Sequence, residues 1–386
     1  MQILIYNWKD LAHPDVGGAE IITWELARRM VADGHRVTWF CRSFRGAKAR
    51  EKIEGIQLVR KGNRISTYFW GWLYYRRLGK KPDVVVDMLN TVLWQTPLFA
   101  RSSKKVCYVN QLAKEVFSYE APRLLAPVAR LAERVQFLSY RKIPFIVYSP
   151  STKTDLVGFG IPQRNIHQFP LGVDHSRYQK ARKARYPLFV AVNRLAKMKR
   201  TNLTIQAMKI VVQKMPQAQL VIMGHGPQEN ALRELIYSLK LQNHVQILTK
   251  DVLFFKKAPK DLKIALMQQA WALVLPSVKE GWGMVITEAA ACGTPSIVSN
   301  VTGLKDSVKN NVTGLVLSPN PTAAELARAM KKIALDAKVR RRLSQGARQW
   351  ADQLDWEKTY RGFTWALKGA LAGKPAEELA IFKKQS

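Results

Sequence analysis

Acidic residues are scarce in this chain. Its 386 residues hold 28 Asp and Glu against 62 Lys and Arg, a formal net charge of +34 with histidine neutral. The basic residues are spread along both halves, so the excess is not a charged tail. Such a field attracts polyanions: nucleic acid, an anionic membrane face or phosphorylated glycans. No recognisable nucleic-acid-binding motif is present, so no specific nucleic-acid partner is expected. Cysteine is scarce too. Cys41, Cys107 and Cys292 are odd in number, scattered and without metal-ligand spacing. That points to a reducing compartment and away from a structural zinc site. No run of about 18 apolar residues occurs, so no segment is expected to span a bilayer. The opening run Met1-Gln2-Ile3-Leu4-Ile5-Tyr6 lacks a charged n-region and reads as a first strand rather than a leader. The expected location is the cytoplasm, with attachment to the inner face of a membrane.

What is present is a globular composition, 47% hydrophobic, in a length that suits two domains, each able to bury a core. The most informative stretch starts with the apolar run Ala272-Leu273-Val274-Leu275, which reads as a buried strand. A Gly-rich loop follows, Glu280-Gly281-Trp282-Gly283, and then a helical pattern from Met284 to Ala291. Gly293-Thr294-Pro295 stops it before the next strand, Ser296-Ile297-Val298. This is a strand–loop–helix–strand unit of a parallel sheet. Unpaired N–H groups and the positive helix end suit an anion such as a diphosphate at the loop. Glu280 and Glu288 near the same mouth could accept hydrogen bonds from sugar hydroxyls. An ordinary parallel-sheet unit with two solvated acids fits the local pattern equally well.

Glu280 and Glu288 enclose seven residues, with Pro276-Ser277 before them and Cys292-Gly293-Thr294-Pro295 after. The whole resembles the E-x7-E signature of the retaining GT-B glycosyltransferases of family 4. Further stretches agree. Gly17-Gly18-Ala19-Glu20 followed by Gly34-His35-Arg36-Val37 is similar to the family's amino-terminal signature. Phe145 to Thr152 looks like its last N-domain strand, and Pro170-Leu171-Gly172-Val173-Asp174 like the stretch before its interdomain linker. Asn193-Arg194-Leu195-Ala196-Lys197-Met198-Lys199-Arg200 matches its "G-R-L-x-x-x-K-G" motif, with Asn193 and Arg200 in place of glycines. Of these two departures, Arg200 is expected to cost little, while Asn193 needs a backbone conformation that Gly would take easily. Gly224-His225-Gly226-Pro227 is similar to "G-x-G-P".

The resemblance implies an α/β fold of GT-B type: two Rossmann-like domains facing a cleft, with a C-terminal helix crossing back to the first. The expected division is residues 1–175, taking back about 356–372, as acceptor-binding domain, and 187–355 as donor-binding domain. It also implies transfer of a sugar from a nucleotide-sugar donor to a glycan or lipid-linked acceptor, without a metal or cofactor. Arg194, Lys199 and the Gly17-Gly18 backbone would hold the donor diphosphate. Gly224 and Gly226 would lie against the nucleotide, and Lys250 and Asp251 at the nucleobase. Glu288 would bind the ribose. Glu280, with the backbone of Gly281, Trp282, Gly283, Met284 and Val285, would orient the sugar. Many family members carry a histidine near the end of the strand 82–90, and this chain has Asp87 and Asn90 there. Asp87 could serve as general base or cap a helix. Asn110 and Gln111, at another strand end, are expected to touch the acceptor. The segments 68–77 and 124–135 mix aromatic or apolar residues with bases, which suits an anionic membrane surface or a core-facing helix with a basic outer side. The alternative function is a catalytically altered relative that binds sugar nucleotides or anionic glycans without transfer.

Overall fold

The structure, a computed structural model, describes residues 1–120, 122, 124–249 and 261–372. The chain forms two compact units. The first comprises Met1–Lys114, Pro127–Pro170 and the stretch from Trp356; the second comprises Glu115–Ala126 and Leu171–Asp355.

The first unit is built on strands β1 (Gln2–Tyr6), β2 (Arg36–Cys41), β3 (Arg50–Ile53), β4 (Ile56–Arg60), β5 (Val84–Leu89), β6 (Lys104–Val109), β7 (Phe145–Val147) and β8 (Ile166–Gln168). They form one sheet in the order β3-β4-β2-β1-β5-β6-β7-β8. Only the β3–β4 hairpin is antiparallel. All six residues of β5 are buried, as expected of a parallel strand covered on both faces. Chain order reverses between β1 and β5. In an open parallel sheet that switch point leaves a crevice at the carboxyl ends, because the connections leave to opposite faces there. Asn7 and Asn90 are the residues that follow these two strands.

The helix Trp356–Leu371 belongs with this unit. Its Phe363 is fully buried and its ring centroid lies 6.0 Å from that of Tyr108. The Tyr360 hydroxyl donates to Asp33 (2.6 Å), and the Thr359 hydroxyl to the Pro170 carbonyl (2.9 Å).

The second unit holds six parallel strands in the order β11-β10-β9-β12-β13-β14. They are β9 (Leu188–Val192), β10 (Gln219–Met223), β11 (Val245–Leu248), β12 (Ala272–Leu275), β13 (Ser296–Ser299) and β14 (Gly314–Leu317). The helices Thr201–Val212 and Ala323–Leu335 contribute Ile205, Met208, Leu326 and Met330 to its core. Here the order reverses between β9 and β12, which pair through Phe189 and Ala272. The loops after Val192 and after Leu275 therefore open on one crevice.

Candidate donor and acceptor sites

At the switch point of the second unit, topology brings together residues far apart in sequence. The Lys199 ammonium lies 2.5 Å from Glu280 Oε1, which also accepts from the Ser277 hydroxyl at 2.9 Å. Backbone bonds tie the Glu280 loop to the Lys199 loop and to the loop after β13. Val278 N–H donates to Met198 O (2.8 Å), and Glu280 N–H to Thr302 O (3.2 Å). Gly303 supports Glu280 from below: at φ +81 it takes the left-handed conformation, and a Cβ there would stand 2.3 Å from Glu280 O. Gly283 caps the helix Met284–Ala291. Ile286 N–H donates to Gly283 O (2.8 Å), and the N–H groups of Met284 and Val285 before it have no intrahelical acceptor. The buried indole N–H of Trp282 has no partner among the described residues. A preformed cation, a carboxylate and unpaired N–H groups thus converge where the sequence places Glu280, Lys199 and the loop 281–285.

Arg194 is exposed and forms no ion pair among the described residues. Gly224 is demanded by the fold itself, because a Cβ there would stand 1.9 Å from Asn193 O. At Gly226 a Cβ would likewise stand too close to Leu195, 2.5 Å from its carbonyl oxygen. The two glycines let the loops after β9 and β10 pack backbone to backbone. The expectation for the two departures from the motif is reversed. Asn193 is not among the residues of positive φ, whereas Arg200 takes φ 51. That conformation costs a residue with a Cβ about 1–2 kcal/mol. Arg200 has compensating bonds from its buried guanidinium to Pro319 O (3.2 Å), Asn320 Oδ1 (2.6 Å) and the Tyr119 hydroxyl (2.8 Å). Tyr119 and its neighbour Glu120, which accepts from Met198 N–H at 2.9 Å, come from the segment 115–126 that groups with this unit.

Glu288 is buried and already engaged. Its Oε1 accepts from the Tyr178 hydroxyl (2.9 Å), and its Oε2 lies 2.5 Å from the Lys263 ammonium. Burial and the adjacent carboxylate push the Tyr178 hydroxyl well above the usual phenol range. Neither partner was legible in the sequence. Lys263 comes from the helix Leu262–Gln269 and Tyr178 from the linker, where no local pattern marks them. Lys250 and Asp251 lie outside the described residues.

In the first unit the carboxyl ends of β1, β5 and β6 carry a chain of amides. The Tyr148 hydroxyl donates to Asn110 Oδ1. Asn110 Nδ2 donates to Asn90 Oδ1 (3.0 Å), Asn90 Nδ2 to Asn7 Oδ1 (2.6 Å), and Asn7 Nδ2 to Thr23 Oγ1 (2.8 Å). Thr23 passes the chain on to Ala19 O at 2.8 Å, one residue beyond Gly18. Asn90 and Asn110 are therefore brought together, and Gln111 does not join them. Asn7 and Tyr148 were missed; each directly follows a strand, and that position was the available signal. Gly17 N–H donates to the buried Glu20 carboxylate (2.7 Å), which also pairs with Lys9 at 3.7 Å. Burial raises the Glu20 carboxyl. The exposed Gly18 remains at the helix start.

Asp87 does not open on this crevice. It is fully buried within β5. Its Oδ1 accepts from Trp94 N–H (3.3 Å), and its Oδ2 from the hydroxyls of Thr96 (3.0 Å) and Tyr140. Burial pushes its carboxyl up to about 6, against those three donors, which pull it down. No group of three or more His, Cys, Asp or Glu side chains placed to hold a metal ion occurs among the described residues.

Two parallel α/β units with crevices at their switch points are the architecture of the GT-B glycosyltransferases. Sucrose-phosphate synthase from Thermosynechococcus elongatus superposes with a TM-score of 0.79 at 19% identity, over 97% of this chain and 100% of that one. Anabaena HepE, solved with UDP-glucose, gives 0.73 at 17% identity, over 96% and 100%. The sequence places the chain within that fold. Residues 16–177 match the family description "Glycosyltransferase Family 4", and residues 173–350 match "Glycosyl transferases group 1". The chain belongs to the group 1 glycosyltransferases. It is 26% identical to an uncharacterized glycosyltransferase of Methanocaldococcus jannaschii, over 83% of this chain and 86% of that protein. It spans roughly half, or less, of the length of other curated relatives that it matches.

Proposed function

We propose that this protein is a retaining, metal-independent glycosyltransferase. It would move a sugar from a nucleotide-sugar donor to a lipid-linked or cell-envelope acceptor. The Lys199–Glu280 pair at the switch point of the second unit carries this reading. In a crevice that gathers cations and backbone N–H groups, Lys199 and Arg194 would neutralise the charge that grows on a departing nucleoside diphosphate. Glu280, released from Lys199 by the bound phosphates, would orient the sugar. Glu288 would reach the ribose through the side that Tyr178 and Lys263 do not cover. In the first unit Asn90 and Asn110 would present amides to the acceptor, and Asp87 would anchor the strand end behind them. Retention comes from the family resemblance, and HepE with UDP-glucose supports the donor class.

A donor screen tests this. Incubation with UDP-, GDP- and ADP-sugars should raise the melting temperature with one of them, by mass action on the folded state, and that donor should hydrolyse slowly. Lys199→Ala should raise the donor Kd roughly ten- to a hundred-fold, the effect of losing one charge-assisted hydrogen bond. No shift with any donor would move the weight to a relative that binds anionic glycans without transfer.

Membrane attachment is the second part of the proposal. The helix Ala126–Val135 leaves Val128, Leu131 and Val135 exposed at helical spacing, with Leu138 beyond them and Arg130 and Arg134 between. Its other side is held by buried Glu133, which accepts from the N–H groups of Ala113 (2.5 Å) and Lys114 (2.8 Å). An exposed apolar face flanked by arginines suits an anionic bilayer surface. The protein should float with anionic liposomes at low salt and less so at high salt, and Leu131→Glu should weaken flotation. Failure to co-float at low salt would remove this part.

A further inference from the structure

An apolar groove of about 500 Å³ opens on the first unit, lined chiefly by Tyr68, Trp72, Val92, Trp94, Leu98 and Phe99. Its volume falls in the range of small-ligand sites. Val92 is 50% exposed and Leu98 61%, so the groove carries uncovered hydrocarbon at its mouth. Gln95, in the same wall, is already engaged: its Nε2 donates to Gln136 O (3.2 Å) and its Oε1 accepts from the Ser139 hydroxyl (2.8 Å). The groove therefore offers a ligand hydrophobic contact and little hydrogen bonding.

One end of the groove is cationic. Tyr68, on the helix Thr67–Arg77, has its hydroxyl held up at about 12 by burial, and Arg64 and Arg42 are the cations whose fields reach it. Both guanidiniums lie over the ring of Trp8, at 4.4 Å for Arg42 and 5.7 Å for Arg64. Neither forms an ion pair among the described residues, and the buried Nε of Arg42 has no partner there. Trp8 follows Asn7, and Val92 stands two residues after Asn90. The apolar groove and the paired guanidiniums thus flank the amide chain at the strand ends.

We propose that this groove takes the hydrocarbon chain of a single-chain lipid phosphate, with Arg42 and Arg64 holding the phosphate. It would be the seat of the lipid-linked acceptor, and in that it rests on the acceptor reading above. A neutral lipid would leave the two guanidiniums unmatched, and a soluble phosphorylated sugar would leave the groove empty. The chemistry of the two ends selects an amphiphile.

The test uses the full chain and farnesyl phosphate below its micellar limit, read by tryptophan fluorescence, since Trp94 and Trp72 line the groove. Saturable binding is expected, with farnesol about tenfold weaker or more. Leu98→Glu and Val92→Glu, both at exposed positions that tolerate charge without unfolding, should each weaken farnesyl phosphate about tenfold, the effect of losing one buried aliphatic contact. Arg64→Glu should weaken farnesyl phosphate and leave farnesol unchanged. Leu131→Glu, on the separate helix face, should leave both unchanged. No saturable binding, or parental affinity in Leu98→Glu and Val92→Glu, overturns the groove. Equal affinity for farnesol and farnesyl phosphate overturns the role of the arginines. The donor screen runs beside it. A donor shift without farnesyl phosphate binding sinks the groove alone. Lipid binding without any donor shift supports the groove and sinks the transferase reading.

Discussion

Glu280→Ala should lower turnover roughly a hundred- to a thousand-fold or more, while the unfolding transition stays near the parent's. The loss is of the size seen when one preorganised electrostatic group is removed from a reacting centre. Glu280 Oε1 holds both the Lys199 ammonium and the Ser277 hydroxyl. Removing it frees a partly solvated lysine and does not orphan a buried charge, so the fold should tolerate the change. Glu280→Gln separates two roles. It keeps the size and a hydrogen-bonding oxygen but loses the negative charge. If charge at this position supports the transition state, Gln should be nearly as inactive as Ala. If the carboxylate only orients a sugar hydroxyl, Gln should retain much of the turnover. Steady-state rates with the donor found in the screen, together with a thermal unfolding curve, decide it. Parental turnover in Glu280→Ala would show that the site is misassigned.

Asp87→Asn should become more stable than the parent as pH rises. The folded state holds the Asp87 carboxyl at about 6 through burial, above the ordinary value of 3.8. Between these values the folded chain binds the proton more tightly than the unfolded chain does. The contribution of this group is therefore fully present below about pH 4 and is lost as pH rises through 6. At about 1.4 kcal/mol per pH unit the loss amounts to roughly 3 kcal/mol. Asparagine cannot ionise and escapes it. Its Oδ1 can still accept from Trp94 N–H, and its Nδ2 can donate to the rotatable hydroxyls of Thr96 or Tyr140. Urea midpoints of parent and variant, measured from pH 3.5 to 8, should separate in the variant's favour between about pH 4 and 6 and keep a constant gap above that. Parallel curves would contradict a buried, ionising Asp87. Activity gives an independent reading. As an anchor behind the strand end, Asp87 should be replaceable by Asn with turnover kept within about tenfold. A general base at this position would lose several hundred-fold, the usual share of a positioned acid or base.

The two carboxylates show where sequence reading reaches and where it stops. Glu280 follows a recognisable strand and precedes a recognisable helix start, so its place at a strand end was legible from local pattern. Asp87 was read in the same way, as a polar residue near a strand end. It lies inside the strand, however, three residues before Asn90, and the walls around it come from Trp94, Thr96 and Tyr140. Those contacts depend on how the chain returns over the sheet. Likewise, the strands 50–53 and 56–60 were not read. They are short, charged and half-exposed, and only pairing against β2 makes them part of the sheet.

The sequence by itself determined the α/β fold and the family. Apolar strand runs, helix starts and stops, and the spacing of Glu280 and Glu288 are set by neighbours within a few residues, and local physics is enough to read them. Tertiary structure alone decided which groups meet. The reversal of strand order between β9 and β12 seats Lys199 on Glu280, and the linker and a distant helix bring Tyr178 and Lys263 to Glu288. The strand ends of the first unit join Asn7, Asn90 and Asn110 into one amide chain beside an apolar groove. These pairings span from tens of residues to more than a hundred. They follow from sheet order and helix return, which no local pattern encodes.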